Sequence, residues 1–419
     1  MKKLLVIFLT VLMMLSLVCC TSPEIEDVDS SFADSEKEES VESSENGSSA
    51  DESNESESDE SESEESESEV KQEMAYPEDG ERIVLANDEV HSWWHSYKFN
   101  KTDSSPYYRH EDIYYPNSVI FSWEADENAD YYRLFISTDK DFAESATESY
   151  LVNTNSLTLS HLFTGTKYYW RVLSTEIGED GSENNTSAVS VRSFNTAEDP
   201  RCFKIEGVSN TRDIGGLEAM NGYRVKQGMI YRGGKLEDIT EEGKEYFINY
   251  IGIKTDLDLR TPNEGGAGKG SPLGSDINYI NIDGRYYTGS KGITTDEGKA
   301  LFAQEIRLFA DPDNYPIYIH CSLGRDRTGT LAMVIEGLLG VRINDLMKDY
   351  EFSVFSVTGT LDNAGIDAIR NNIKSTYDYI SENYEGGSFA EKTENYLLSI
   401  GITAEEIQSI RDIMLEEVK

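Results

Sequence analysis

Hydrophobic positions follow two different rhythms along this 419-residue chain. Between residues 75 and 197 apolar and polar side chains alternate with a period close to two: 117–123 (NSVIFSW), 132–137 (YRLFIS), 156–159 (SLTL) and 168–172 (YYWRV). That is the period of a half-buried strand, and Asn, Asp, Gly and Ser clusters separate the runs, so this part predicts an all-β sandwich. Residues 76–115, with Trp93-Trp94 and Tyr107-Tyr108, are aromatic without clear alternation. They read as an added strand, a packed extension, or an exposed aromatic patch for a sugar or peptide. After a linker at 197–200 (AEDP) the rhythm changes. Helical stretches at 241–251, 296–310 and 328–339 interleave with short apolar runs at 253–259, 277–283 and 316–320. The end, 389–419, is helical with a break and N-cap at Gly401-Ile402-Thr403. Strands separated by helices predict a parallel α/β sheet covered on both faces. The expected fold class is therefore multidomain, a β-sandwich followed by an α/β domain whose central sheet is flanked by helices.

The first 74 residues carry neither rhythm. Lys2 and Lys3 precede an apolar run at 4–18, followed by Cys19-Cys20. That order is an export signal, and the run is shorter than the ~18–20 residues of a spanning helix. Leu17-Val18-Cys19-Cys20 resembles a bacterial lipobox, which implies acylation of Cys20 and a lipid anchor on the outer face of the cell membrane. Cys19 departs from the Gly, Ala or Ser usual before the cut. An ordinary cleaved signal and an uncleaved anchor are the other readings. Residues 21–70 hold 21 Asp/Glu against one Lys and almost no aromatic residue. Such a stretch buries too little apolar area to offset ordering its backbone, so 21–74 is expected to be a disordered acidic spacer. The boundaries drawn are thus 1–20 for the signal, 21–74 for the spacer, 75–197 for the sandwich and 201–419 for the α/β domain. The net charge of -42 excludes a polyanion such as nucleic acid as partner, and electrostatic docking onto anionic lipid.

One loop carries the chemistry. Residues 320–329 read HCSLGRDRTG and lie between an apolar strand and a helix start. An α/β sheet places its anion site there, because unpaired backbone N–H groups and the helix dipole converge. Cys321 and Arg327 fit Cys-x5-Arg, with Thr328 next. A phosphoryl group needs a nucleophile below it, N–H groups around its oxygens and a planar bidentate cation. Cys321 supplies the first and Arg327 the last. Ser322, Leu323, Gly324, Arg325, Asp326 and Arg327 offer the N–H groups, and Gly324 permits a conformation closed to other residues. Thr328 is placed to hydrogen-bond the leaving thiolate. The donors should lower the thiol pKa from ~8.5 toward ~3.5–7.5. His320 orients the loop by hydrogen bonds. Cys202 and Cys321 are expected to be free thiols, since a bridge would silence the nucleophile. The five histidines are dispersed and no Cys/His spacing suggests zinc, so neither a metal nor a cofactor is expected.

These residues resemble the cysteine-dependent protein tyrosine phosphatase superfamily, and more narrowly its bacterial tyrosine/lipid phosphatases, whose loop reads HCxxGKDRTG. The resemblance covers about 201–419. Residues 210–216 (NTRDIGG) are similar to that family's NFRDLGG, 231–234 (YRGG) to its YRSG-like segment, 258–262 (DLRTP) to its DLRTP and 349–353 (DYEFS) to its DYxxS. The departure is Arg325, where the family usually has lysine. The resemblance implies hydrolysis of protein phosphotyrosine, with phosphoinositide or inositol-phosphate substrates as alternative. It assigns the general acid to Asp326; Asp283, at the end of the run 277–283, is the rival. Asp258 is expected either to orient Arg325 or to pair with Arg260. Arg212 and Arg232 either line the anion pocket or pair with Asp213 and Glu237. The sandwich resembles a fibronectin type III domain, with Trp123 as its early core tryptophan and 162–168 (LFTGTKY) as its tyrosine corner; an unrelated sandwich is the alternative. A surface-binding lipoprotein with a secondary phosphatase domain is a second class of function. Oligomeric state is not legible.

Overall fold

The computed structural model describes residues 75–284, 292–356 and 365–418. The signal segment, Cys20 and the acidic spacer lie outside the described residues.

The alternating runs become strands as expected. In chain order the first part holds β1 (Glu81–Ile83), α1 (Asp88–Ser96), α2 (Glu111–Tyr114), β2 (Val119–Ser122), β3 (Tyr131–Ser137), β4 (Thr147–Val152), β5 (Ser156–Leu159), β6 (Lys167–Ile177) and β7 (Glu183–Thr196). β1, β7, β6, β3 and β4 form one sheet, and β2 pairs with β5 in a second. Inward residues of both sheets, including Phe121, Leu134, Trp170, Val172 and Phe194, make one apolar cluster. Trp170 and Phe194 are wholly buried, and Trp123 meets Tyr132 edge-on at 5.4 Å. The Tyr168 hydroxyl accepts the backbone N–H of Phe163 at 2.8 Å, pinning the turn before β6.

Residues 88–115 do not join that cluster. Trp93, Trp94, Tyr97 and Tyr114 belong to the core of the α/β part. Two of the readings of 76–115 are therefore present together: 81–83 add strand β1 to the sheet beside β7, and 88–115 are a packed extension. Asn87 caps α1 by accepting the Glu89 N–H. The helix then turns Trp93 and Trp94 inward, Trp93 edge-on to Phe355 at 5.1 Å, while Tyr114 stacks on Phe352 at 5.2 Å.

The second part runs β8 (Arg212–Asp213), β9 (Tyr223–Val225), β10 (Ile230–Gly233), α3 (Glu241–Glu245), β11 (Thr255–Asp258), β12 (Asn278–Asn281), α4 (Asp296–Leu308), β13 (Ile317–His320), α5 (Asp326–Leu338), α6 (Ile343–Ser356), α7 (Gly365–Asn383), α8 (Phe389–Ser399), α9 (Ala404–Met414) and β14 (Leu415–Glu417). The sheet order is β12-β11-β13-β10-β8, with β12, β11, β13 and β10 parallel and β8 antiparallel at the edge. β13 is therefore central and wholly buried. α5 follows it directly, and Arg327 through Leu338 are all buried, because α6, α7 and α8 pack around it. Caps follow the sequence: Thr240, Thr295 and Thr403 accept N–H groups at the starts of α3, α4 and α9, and Thr403 with Glu406 forms a full capping box. The chain end departs from the expected helix: β14 pairs antiparallel with β9 and satisfies an otherwise open strand.

Candidate active site

The loop after β13 takes its shape from its floor. Arg232, at the end of β10 and fully buried, donates to the carbonyls of Gly324 at 2.9 Å and Arg325 at 3.2 Å. Asn210 donates through its side-chain amide to the carbonyl of Leu323 at 3.0 Å. With three loop carbonyls held from outside, the N–H groups of the same peptides are turned the other way, toward the loop's interior. Gly324 sits at φ +66°, and a Cβ there would come within 2.2 Å of the Gly233 backbone. Both the conformation and the close approach exclude any other residue. Gly329 has a similar steric reason, since a Cβ would meet the Tyr350 ring at 2.4 Å.

Cys321 is buried at the start of this loop. Burial pushes its thiol up, but the Arg327 charge, the Thr328 hydroxyl and the backbone N–H groups of Thr328 and Leu323 outweigh burial, so the thiolate is favoured below the ordinary thiol range. Cys202 shows the contrast. It is equally buried, and burial pushes it up to about 12. Neither cysteine is in a disulfide.

Arg327 is held by a residue that no motif had singled out. Its two terminal nitrogens donate to the Glu264 carboxylate at 2.7 and 2.8 Å, and the Ser322 hydroxyl donates to the same carboxylate at 2.5 Å. Glu264 follows the Thr261-Pro262 turn beyond β11. The Arg327 hydrogen bonds, against some burial, lower its carboxyl to about 2. Its position two residues after Pro262 is the only sequence signal it offers.

Asp326 opens α5. It takes two hydrogen bonds from Arg325 at 3.1 and 2.9 Å, one from the Tyr350 hydroxyl at 2.6 Å and one from the Asn372 amide at 3.2 Å. Burial raises its pKa, yet Arg325, Tyr350 and Asn372 prevail and hold it below the ordinary carboxylate range. The rival acid, Asp283, is buried and accepts from the Thr261 hydroxyl at 3.1 Å.

The supporting residues settle differently. Asp258 is bound by Arg260 at 2.9 and 2.8 Å and by Tyr279 at 2.9 Å, so of its two readings the pairing with Arg260 is the one present. A neighbour two residues away on the same strand end reaches it before Arg325, which is taken by Asp326. Arg212 does not line the anion pocket, nor does it pair with Asp213. It is fully buried and donates to Asp349 at 2.8 Å and to Asn210 at 2.6 Å. Asp213 pairs instead with Arg201 at 2.9 Å, and Glu237 with Arg260 at 2.6 Å. Asp349 also receives Arg232, so one buried carboxylate joins both arginines beneath the loop. His320 lies with Nε2 2.9 Å from Asp256, its ring stacked near Tyr318 and its Nδ1 3.4 Å from the Cys321 carbonyl, so it reaches the start of the loop as expected. Burial lowers its pKa, but the Asp256 and Asp258 charges overcome this and raise it.

A Cys-x5-Arg loop at the end of a central parallel strand, backed by a helix start, defines the class of cysteine-dependent phosphatases. Within that class the chain belongs to the tyrosine phosphatase family, whose model matches residues 203–416. A Cupriavidus necator protein named as a tyrosine-protein phosphatase is 24% identical over 164 residues, covering 34% of this chain and 59% of that one. One from Dictyostelium discoideum is 36% identical over 45 residues, covering 11% and 27%. The chain thus spans 59% or less of the length of these curated relatives. Among solved structures, the core catalytic domain of the PP-IP phosphatase SIW14 from S. cerevisiae, in complex with citrate, matches at 19% identity with a TM-score of 0.26, over 38% of this chain and 92% of that one. An Fn3-like protein from Clostridium thermocellum matches at 23% identity with a TM-score of 0.15, over 19% of this chain and 77% of that one.

Proposed function

We propose that this protein is an exported, lipid-anchored phosphatase that hydrolyses phosphate monoesters, with protein phosphotyrosine as substrate, through a phosphocysteine intermediate. The observation that carries this reading is the pairing of a thiol biased toward thiolate with a cationic, N–H-lined loop, three of whose carbonyls are held from outside. In the first step Cys321 Sγ attacks phosphorus, the P–O bond to the leaving group breaks, and Asp326 gives that oxygen its proton. Arg327 and the N–H groups of residues 322–327 carry the charge on the phosphoryl oxygens. Water then attacks phosphorus, the P–S bond breaks, its proton returns to Asp326, and inorganic phosphate leaves with Thr328 hydrogen-bonding the restored thiolate. Glu264 keeps Arg327 flat and aimed, a positioning role.

Arg325 bears on the substrate. Its guanidinium is committed to Asp326, which favours a single phosphate over the several of an inositol polyphosphate. Upstream, the β unit is read as a fibronectin type III-like domain, on Trp123 and the Tyr168 corner, that holds the catalytic part beyond the acidic spacer. Anchoring through Cys20 rests on the lipobox-like sequence.

The decisive measurement is hydrolysis of a panel of phosphotyrosyl peptides, phosphoinositides and inositol phosphates by the parent and by Cys321→Ser. Turnover of phosphotyrosyl peptides, lost in Cys321→Ser, is expected. Turnover that survives in Cys321→Ser would sink the mechanism, and turnover confined to the inositol compounds would sink the substrate assignment. For the anchor, Cys20→Ala should leave the membrane fraction or remain unprocessed.

A further inference from the structure

The aromatic extension carries a cluster that phosphatase chemistry does not use. His91 and His95 stand one turn apart on α1, their ring centroids 4.4 Å apart. Nδ1 of His91 lies 2.7 Å and Nε2 of His95 3.1 Å from the same oxygen, Oδ1 of Asp199. Asp199 belongs to the linker between the β unit and the α/β part, and its side chain is fully buried. Its second oxygen, Oδ2, has no hydrogen-bond partner among the described residues. A buried carboxylate with one oxygen doubly used and the other unused is an incomplete arrangement, because an unsatisfied buried acceptor is costly.

We infer that His91, His95 and Asp199 form a binding site for a divalent transition-metal cation of the zinc class, which ties α1 to the interdomain linker. Two imidazoles and a carboxylate are a common zinc donor set, with water in the remaining position. Bonds of about 2.0–2.2 Å would set neighbouring donors roughly 3.3 Å apart. The three donor atoms already lie within 4.8 Å of one another, so side-chain rotation suffices. The histidine backbone is fixed by Trp93, buried on the opposite face of the same helix, and by the buried Trp94 beside it. The imidazoles are 26% and 39% exposed, which gives the ion a route in, whereas Asp199 supplies charge from the buried side. Nitrogen donors select against magnesium and calcium, which take oxygen ligands. The expectation from sequence that no metal site exists counted five scattered histidines. It missed that two of them share a helix face, and that the third ligand arrives from more than a hundred residues away.

The test uses the full chain carrying Cys321→Ser, which removes a competing soft ligand, with excess magnesium to occupy the acidic spacer. After incubation with zinc and desalting, elemental analysis should find about one zinc per chain, as for a single three-residue donor set. His91→Ala/His95→Ala and Asp199→Asn should each weaken zinc at least about tenfold, with metal-free melting of the variants close to that of the parent. Cobalt in place of zinc should give visible bands without thiolate charge transfer, and His95→Cys should introduce that charge-transfer band at this position. Failure of the Cys321→Ser parent to take up zinc, unchanged uptake by the double histidine variant, or no thiolate band with His95→Cys would each overturn the site, leaving only a hydrogen-bonded His–Asp cluster.

Discussion

Two cysteines in one chain, both buried, differ in reactivity because of what stands next to the sulfur. Cys202 has desolvation working against its thiolate and is pushed up to about 12. Cys321 has Arg327, Thr328 and two backbone N–H groups, and its thiol is lowered. A lowered thiol stays ionised as pH falls, so alkylation of Cys321 by iodoacetamide should persist below pH ~8, where an ordinary thiol is protonated, and decline only further down. Cys202 should stay unlabelled throughout, and phosphate should protect Cys321. Peptide mass mapping across a pH series checks this; equal labelling of both, or labelling of Cys321 that falls off around pH ~8.5, would contradict the thiolate assignment. Asp326 is subtler. Arg325, Tyr350 and Asn372 hold it ionised at rest, which is the wrong state for an acid. An arriving phosphate dianion adds negative charge nearby and raises its pKa, so the proton is acquired with the substrate. Asp326→Asn is therefore expected to lower kcat by roughly 10²–10⁴ on poor leaving groups and much less on p-nitrophenyl phosphate, whose leaving group barely needs a proton. Asp283→Asn should do little. The reverse pattern in steady-state kinetics would move the acid to Asp283.

At the scale of elements, the loop is the visible end of a buried ion network that joins β8, β10 and α6. Asp349 holds Arg212 and Arg232, and Arg232 in turn holds the carbonyls of Gly324 and Arg325. Removing the one acid leaves two buried cations short of a counter-charge, which typically costs about 3–5 kcal/mol. Asp349→Asn should lower the unfolding free energy from denaturant titration by that much and impair turnover even where folded; a loss under about 1 kcal/mol would show that the network is not the loop's floor. The same elements show what a sequence discloses. β13 and α5 were legible, being an apolar run and an apolar helix divided by a Gly-bearing loop. α6 was not, since Leu346 to Ser356 are all buried, with Lys348, Asp349 and Glu351 among them. A helix buried all round has no polar stripe, and its charges read as solvent-facing until their partners are known. β8 is two residues long and gives no period. In the site, everything contiguous was legible: Cys321, Gly324, Asp326 and Arg327. Glu264 and Asn372 were not, because the turn after β11 and the packing of α7 on α5 bring them in from far along the chain. The motifs at Asn210 and Asp349 were visible as patterns, but their work as loop supports depends on contacts no spacing encodes.

For the whole molecule, the question is whether residues 201–419 can stand alone. The structure gives them partners that a boundary at 201 would remove. Trp93, Tyr107 and Tyr114 cover Phe352 and Phe355 on α6, and the Tyr97 hydroxyl donates to Glu351 at 2.6 Å, which also accepts Arg370. On another side, Arg201 donates to the carbonyls of Leu162 and His161 while paired with Asp213, and Gln227 exchanges hydrogen bonds with Thr164 at 3.0 and 2.8 Å. The upstream segment is thus both a lid on an apolar face and a polar dock. α6 carries Asp349, so loosening its outer face reaches the floor of the catalytic loop. A fragment of 201–419 is expected to expose that aromatic face and to aggregate or lose its sharp unfolding transition, whereas 75–419 keeps both activity and a cooperative melt. Trp93→Ala in the full chain tests the same coupling without truncation: loss of a buried tryptophan costs about 3–5 kcal/mol, and activity should decline at temperatures well below the parent's melting point. A monomeric 201–419 fragment as active and as stable as 75–419 would show that the aromatic extension is merely carried along.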